Sequence, residues 1–116
     1  MKLSTLAALA VVASGLAGCD TLTGGDLVRP GEPTATLIII NDTYGYLDAI
    51  VISDCSAMSY GFNRLGQDDS IPPGGSRSFE LSAGCWDVGG GEFAGVEAYE
   101  RMVLNPGDVM RYSIYE

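Results

Sequence analysis

From Thr34 to the end of the chain, short runs rich in β-branched and aromatic residues alternate with clusters of glycine, proline, asparagine and aspartate. Runs of this length and composition are typical of β-strands, and the clusters between them are typical of turns. No long stretch of this region has the 3.6-residue period of an amphipathic helix. The pattern therefore predicts an all-β domain, a small antiparallel sandwich or barrel of about six strands.

The predicted strands follow the apolar runs. They span residues 36–41, 47–53, 77–82, 85–89, 96–104 and 109–115. The run of β-branched residues at 36–41 indicates a first strand that is buried on both faces. Because residues 41–46 are rich in turn formers, we expect the first two strands to form a hairpin. Residues 105–108, Asn-Pro-Gly-Asp, predict a type II turn before the last strand.

The N-terminus has the charge and hydropathy pattern of an export signal. Lys2 is the only lysine of the chain, and residues 3–16 after it are uncharged and mostly apolar. This run is too short for a membrane-spanning helix, which needs about 20 apolar residues, and is typical of a secretory signal peptide. It ends in Leu-Ala-Gly-Cys at residues 16–19, a tetrapeptide that resembles the lipobox of bacterial lipoproteins. An ordinary cleaved signal and an uncleaved anchor are the alternatives.

The lipobox resemblance implies how the chain is processed and where it lies. It implies a signal peptide over residues 1–18, cleavage between Gly18 and Cys19, and attachment of diacylglycerol and a further acyl chain such as palmitate to Cys19. The mature protein is then a membrane-anchored lipoprotein that faces the periplasm or the cell exterior. Asp20 resembles the inner-membrane retention signal of enteric bacteria and favours the inner membrane.

Between the signal and the strands lies a stretch without periodicity. Residues 19–33 are rich in glycine, proline and polar residues, and predict a flexible tether that begins with the lipidated cysteine. The β-domain then comprises residues 34–116. Alternatively, Leu27 and Val28 form a first edge strand of that domain, although the prolines that follow cannot donate to a sheet ladder.

The three cysteines divide into one anchor and one pair. With Cys19 assigned to the lipid, Cys55 and Cys85 remain, and two thiols of an exported domain tend to pair in an oxidising compartment. We predict a structural disulfide between them, because they lack the Cys-x-x-Cys spacing of redox-active pairs. By the loop-closure estimate, a ring of about 31 residues is worth roughly 3–4 kcal/mol to the domain.

The composition excludes several kinds of site. The chain has no histidine, which excludes Ser-His-Asp and Cys-His catalysis and metal sites that need imidazole. A formal charge of −9 disfavours nucleic acid as a partner. One long loop is flanked by three acids, Asp54, Asp68 and Asp69. They are interpreted as solvated acids, because they match no EF-hand calcium loop and no other catalytic group accompanies them. The glycines at 89–91 predict a bend or bulge, because no helix follows to complete a phosphate cradle. We expect no catalytic residue, no metal and no cofactor.

The loop at residues 56–69 is the best candidate for an interaction surface. It carries four apolar or aromatic side chains among serine, glycine and asparagine residues: Met58, Tyr60, Phe62 and Leu65. Adaptable apolar side chains on a loop can form a recognition patch. Alternatively, they cover one open end of the sandwich as a lid. Separately, residues 57–65 are a candidate for one short helix, which Gly61 disfavours. Trp86, which opens a strand beside the predicted disulfide, is expected in the core.

The domain carries four short features in the order Ile52-Ser53, Gly66, Ile71-Pro72-Pro73-Gly74 and Cys85-Trp86-Asp87. Together they resemble small secreted bacterial β-domains of uncharacterised role, and the resemblance implies no activity. We hypothesise that the chain is not an enzyme but a lipid-anchored binding or scaffolding module of the bacterial cell envelope. Its partners are then the membrane, through the N-terminal lipid, and an envelope protein or ligand. The alternatives are a carboxylate-based hydrolase of envelope sugars, with two acids about 5–9.5 Å apart, and a small-ligand carrier with an internal pocket.

Overall fold

The computed structural model of the chain describes residues 26–57, 61, 63–92 and 95–115. This part of the chain contains six strands and no helix, which confirms the predicted all-β fold. The strands are β1 (Thr34–Asp42), β2 (Ala49–Asp54), β3 (Ser76–Ser82), β4 (Gly84–Glu92), β5 (Gly95–Leu104) and β6 (Val109–Tyr115). Every predicted strand is present, and its ends lie within three residues of the predicted positions. Among the described residues, no helix is long and apolar enough to cross a membrane.

The six strands form two three-stranded sheets that pack face to face as a small sandwich. β1 lies at the centre of the first sheet, in the order β3-β1-β6, and β4 lies at the centre of the second, in the order β2-β4-β5. Neighbouring strands run antiparallel except β1 and β6, which run parallel. The parallel pair arises because the turn after β5 carries the chain to the start of β1, where Thr36 N donates a 2.8 Å hydrogen bond to Asp108 O.

The predicted hairpin between the first two strands is wrong, because β1 and β2 lie in different sheets. Both edges of β1 are occupied, by β3 on one side and by β6 on the other, so β2 cannot pair beside it. The chain instead crosses to the second sheet through residues 43–48, where Leu47 forms an isolated bridge with Ile71. Two strands joined by a turn-rich segment are therefore compatible with a crossing between sheets as well as with a hairpin.

The core lies between the two sheets. Alternate residues of β1, among them Leu37 and Ile39, point into it, whereas Ile38 and Ile40 are only half-buried. The prediction that the first strand is buried on both faces is therefore wrong. β-branched residues favour a strand on either face, so an unbroken run of them does not by itself indicate burial. In contrast, five of the six residues of β2 are buried.

The single tryptophan connects the two sheets at one end of the core. Trp86 in β4 is fully buried, as predicted, and its indole N–H donates a 2.8 Å hydrogen bond to Ser82 O in β3 of the opposite sheet. Beside it, Cys55 and Cys85 form the predicted disulfide, which ties the end of β2 to β4. Cys55 N also donates a hydrogen bond to Cys85 O, so covalent and hydrogen bonds close the same corner of the second sheet.

Residues 27–33, which the sequence assigns to the tether, pack against this end of the sandwich. Leu27 O accepts a 2.7 Å hydrogen bond from Ser82 N, and Pro33 O accepts a 2.8 Å hydrogen bond from Ala83 N. None of these seven residues belongs to a strand. The packed part of the chain therefore begins within the predicted tether, without the edge strand that was its alternative.

The predicted type II turn before β6 is confirmed. Asp108 N donates a 3.0 Å hydrogen bond to Asn105 O, and Gly107 has the positive φ, 81°, that the third position of this turn requires. Residues 72–75, Pro-Pro-Gly-Gly, form a turn of the same kind with a φ of 80° at Gly74. Glycine at these two positions allows the chain to reverse tightly before β3 and before β6.

The glycines at 89–91 lie in β4, where the pairing with β5 shifts by one residue between Gly90 and Gly91. The predicted bulge is therefore confirmed. Gly90 faces the core at a point where the sheets come close together. A Cβ atom built on it would overlap Ile114 Cδ1 and lie 3.0 Å from Ile50 Cδ1. Because these isoleucines belong to opposite sheets, the absent side chain of Gly90 determines how closely the sheets approach here.

We expect Gly90→Ala to destabilise the domain by about 1–3 kcal/mol, because an added methyl group in a packed core forces its neighbours apart. The matched control is Gly66→Ala on an exposed loop, where the new methyl carbon would lie 3.7 Å from Asp69 Cβ, an ordinary contact. This control should change the free energy of unfolding by less than about 1 kcal/mol. Urea unfolding followed by Trp86 fluorescence measures both variants, and equal stabilities would contradict the close approach at Gly90.

Candidate functional site

An open cleft of about 400 Å³ lies between the sheets at the end of the sandwich opposite Trp86. The loop after β1, the end of β4, the inward face of β5 and the end of β6 form its walls. Its described lining residues are Thr43, Gly45, Tyr46, Leu47, Gly90, Gly91, Glu92, Ala98, Ile114 and Tyr115. The cleft opens to solvent and has polar and apolar walls, so it differs from the enclosed pocket expected of a small-ligand carrier.

The loop after β1 forms one wall, and the buried Asn41 side chain shapes it. Asn41 is fully buried, and its amide nitrogen donates hydrogen bonds to Gly45 O and Ile71 O, both at 2.8 Å. Its amide oxygen accepts hydrogen bonds from Thr43 N at 2.9 Å and from the Thr43 hydroxyl at 2.6 Å. Both polar atoms of the side chain are thus bonded, which fixes the path of the loop where Thr43 and Gly45 enter the cleft.

The opposite wall contains few side chains. Gly90 and Gly91 of β4 and Gly45 of the loop line the cleft without side chains of their own. Ala98 and the buried Ile114 supply an apolar floor. At Gly90 the space that a side chain would need is filled by Ile114 Cδ1 and Ile50 Cδ1, so this glycine serves the contact between the sheets.

Glu92, at the end of β4, is the only charged residue among the described lining residues. Its side chain is exposed at the mouth of the cleft, beside the backbone of Gly45: a Cβ atom built on Gly45 would lie 3.4 Å from Glu92 Oε1. Within the described part of the chain, no group forms a hydrogen bond or an ion pair with this carboxylate. The carboxylate is therefore available to a ligand.

Two tyrosines line the cleft, and a third lies nearby on β6. Tyr46 and Tyr115 stand at the rim, with 59% and 75% of their surface exposed. Tyr112 on β6 is not among the lining residues and packs partly buried against the core, and burial raises its pKa, with further contributions from the negative charge of Glu100 and from Tyr115. By the two-residue period of a strand, Glu100 is on the same face of β5 as Ala98. Aromatic rings and carboxylates therefore share the open side of the sandwich between β5 and β6.

The acids that the sequence singles out lie outside this cleft. A hydrogen bond from the Ser56 backbone holds the pKa of Asp54 below its ordinary value, and the Arg77 guanidinium does the same for Asp69. Asp68 is exposed. A general acid needs a raised pKa, so the lowered values do not suit that role. A hydrolase needs a pair of carboxylates, and the described lining of the cleft contains one.

Several predicted site residues lie outside the described residues. These are Gly18, Cys19, Met58, Tyr60 and Phe62. The proposed helix over 57–65 also falls partly on this undescribed segment. In the described residues, no group of three or more cysteine, aspartate, glutamate or histidine side chains could hold a metal ion.

The described part of the predicted interaction loop covers the free edge of β2. Asn63 Oδ1 accepts a 2.8 Å hydrogen bond from Ile50 N, and Arg64 N donates a 2.6 Å hydrogen bond to Ile50 O. Leu65, the fourth side chain of the predicted patch, is buried in the core. An uncovered edge would expose unpaired backbone groups to other chains. Residues 63–65 therefore protect β2 and fill the core.

At the other end of the sandwich, Arg29 fastens the N-terminal segment to the domain. Its guanidinium carbon lies 5.1 Å from the centre of the Trp86 ring, within the range of a cation–π contact. Its side chain donates hydrogen bonds to Asp54 at 3.0 Å and to Glu32 at 2.9 Å. Its backbone N–H donates a 2.7 Å hydrogen bond to the Ser82 hydroxyl. These contacts hold the segment at the end of the sandwich that is remote from the cleft.

Sequence reasoning missed the cleft, because its lining comes from four separate segments of the chain. Two signals point to it in retrospect. Asn-Asp-Thr at 41–43 is a pattern that favours a side-chain-capped turn. Two of the six tyrosines, Tyr46 and Tyr115, lie in the segments that line the cleft. Neither signal reveals the pairing of β1 with β6 that brings these segments together.

We expect Glu100→Gln to lower the pKa of Tyr112 without returning it to its ordinary value, because the burial of the ring remains when the charge is removed. A pH titration of ring-labelled tyrosine by NMR measures this pKa. The matched control is Glu80→Gln, at an exposed position on β3, which should leave it unchanged. An unaltered Tyr112 pKa in Glu100→Gln would contradict the placement of Glu100 opposite β6.

Comparisons with known proteins leave the site to be interpreted from its own residues. No protein-family model matches the chain. A comparison with curated proteins finds no match either. The geometry of the cleft and the docking of the N-terminal segment are therefore the basis for assigning a function.

Proposed function

We propose that the chain is a lipid-anchored binding module of the bacterial cell envelope that presents its cleft away from the membrane. The lipobox-like residues 16–19 support the anchor, because cleavage after Gly18 makes Cys19 the acylated N-terminus. Two or three acyl chains hold a protein stably on a bilayer, whereas one chain is marginal. The domain is then extracytoplasmic, and the cleft is its ligand-binding surface.

The Cys55–Cys85 disulfide supports export. Disulfides persist in oxidising compartments and are rare in the cytosol. With these two cysteines paired, Cys19 is the only other cysteine of the chain. One hypothesis, an exported lipoprotein, thus accounts for all three cysteines.

The observation that carries the proposal is the position of the N-terminal segment and the cleft at opposite ends of the sandwich. Leu27 and Arg29 contact the end of β3 and the start of β4, whereas the cleft lies where β1, β4 and β6 end. β1 has nine residues, so at 3.3 Å per residue the two ends are about 30 Å apart. A domain held by its N-terminus would therefore turn its cleft away from the bilayer.

The length of chain between the lipid and the domain supports the same orientation. Residues 20–26 separate Cys19 from Leu27, and even when fully extended this stretch spans at most about 28 Å. This reach is no longer than the domain itself. The tether is therefore too short for the domain to turn fully over and place its cleft squarely against the membrane.

The anchor is tested by metabolic labelling of cells with palmitate. We expect the wild-type chain to incorporate the label and Cys19→Ser to incorporate none, because the acyl chains are attached at this residue. The matched control is the double variant Cys55→Ser/Cys85→Ser, which should still incorporate label. Unchanged labelling of Cys19→Ser would refute the lipid anchor.

The orientation is tested by energy transfer from tryptophan to dansyl lipid in liposomes that carry the lipidated protein. Trp86 is the only tryptophan and lies at the docked end, so transfer from it should be efficient. In Trp86→Phe/Tyr46→Trp the donor moves to the cleft, and transfer should fall severalfold because it decreases steeply with distance. If that variant does not fold, Tyr46→Trp alone adds a distant donor and should lower the mean efficiency. Equal transfer from the two positions would overturn the orientation.

A further inference from the structure

We propose that the cleft binds a small organic cation, an amine or quaternary ammonium group held by the Glu92 carboxylate and the rings of Tyr46 and Tyr115. This assignment rests on the proposed function, because it names the chemical class of ligand for the same cleft. Three properties favour such a ligand: the charge of the cleft, the small number of polar groups that its loop leaves unbonded, and the size of the cleft.

The charge of the cleft favours a cation over an anion. Glu92 is the one charged side chain of the described lining, and no arginine accompanies it there. The only lysine of the chain is Lys2, so an anion would meet a carboxylate without a counter-charge. Glu100 adds a second negative charge on this side of the sandwich, and its influence reaches Tyr112. The excess of 15 acidic over 6 basic residues also raises the local concentration of cations.

The hydrogen-bonding groups of the cleft favour a cation over a neutral sugar. A neutral saccharide is oriented by several polar groups of its site. The Thr43 hydroxyl donates its one proton to Asn41 Oδ1 and accepts from Gly45 N, and Gly45 O accepts from the Asn41 amide. The loop itself thus uses these polar groups, and the Glu92 carboxylate is the only charged acceptor of the described lining. A single carboxylate with adjacent aromatic rings suits a single ammonium group.

The tyrosines and the size of the cleft fit a compact head group. The face of an aromatic ring attracts a cation within about 6 Å of its centre, and Tyr46 and Tyr115 line the same cleft as Glu92. A volume of about 400 Å³ is near the lower end of the range for small-molecule sites. The cleft therefore has room for a head group of the size of choline, with its substituent directed into solvent.

The test uses the mature, lipidated protein in nonionic detergent, because many zwitterionic detergents themselves carry an ammonium group. The probes are choline and 3,3-dimethylbutan-1-ol, which has the same shape without the charge. Titration calorimetry and the NMR shifts of the tyrosine rings measure binding. We expect choline to bind at least about tenfold more tightly than the alcohol, and its affinity to fall as salt is added.

Glu92→Gln should weaken choline binding by about tenfold or more, because it removes the charge of the proposed site while keeping its shape. The matched control is Glu80→Gln, at an exposed position on β3 outside the described lining, which should leave the affinity unchanged. Urea unfolding of both variants shows whether either substitution alters the fold instead of the site.

Three outcomes would each overturn the assignment. These are equal affinities for choline and the alcohol, choline binding that survives Glu92→Gln, and no saturable choline binding at tens of millimolar.

A second pair of probes, glucosamine and N-acetylglucosamine, distinguishes recognition of the positive charge from recognition of the sugar ring. Binding of glucosamine alone supports a cation site, whereas equal binding of both would identify a saccharide site and overturn the cation. Palmitate labelling and energy transfer test the anchor and the orientation separately, so the cation assignment can fail while the proposed function stands.

Discussion

The hydrogen bond from the Trp86 indole to Ser82 O connects the two sheets, and one end of the domain is arranged around it. An unpartnered N–H in this fully buried position would cost about 1–3 kcal/mol, so the bond fixes where β3 lies relative to β4. The backbone and hydroxyl of Ser82 also bond Leu27 and Arg29. The guanidinium of Arg29 in turn covers the indole ring. One aromatic side chain thus determines both the relation of the sheets and the docking of the chain that precedes them.

The two ends of the sandwich are built in opposite ways. The Trp86 end is filled by a large ring, a disulfide and the docked N-terminal segment. The other end holds the cleft, whose described lining includes three glycines, and Ile114 packs against one of them, Gly90. The loop wall is held by the bonds of Asn41 and needs no ligand to order it. Because this wall is already ordered before a ligand binds, binding does not carry the entropic cost of ordering the loop.

The strands are predictable from the sequence because strands and turns both depend on neighbouring residues. The Pro-Gly turns at 72–75 and 105–108, for example, mark where β3 and β6 begin. The disulfide is predictable because three cysteines, one of them in a lipobox-like motif, leave one pair. The partners of β1 are not, because its parallel neighbour β6 lies at the far end of the chain and no local pattern encodes that pairing. The cleft is equally hidden, because absent side chains such as that of Gly45 leave no hydrophobic pattern to detect.

The distribution of the arginines determines where negative charge remains. Three of them bind carboxylates: Arg29 binds Asp54, Arg77 binds Asp69 and Arg101 binds Asp87. Arg64 donates hydrogen bonds to Ile52 O and covers the edge of β2. Ion pairs this exposed add little stability, so their larger effect is to neutralise particular acids. In the described structure no arginine forms an ion pair with Glu92 or Glu100. Asp54 and Asp69 beside the long loop are therefore compensated, while Glu92 in the cleft has no arginine partner among the described residues.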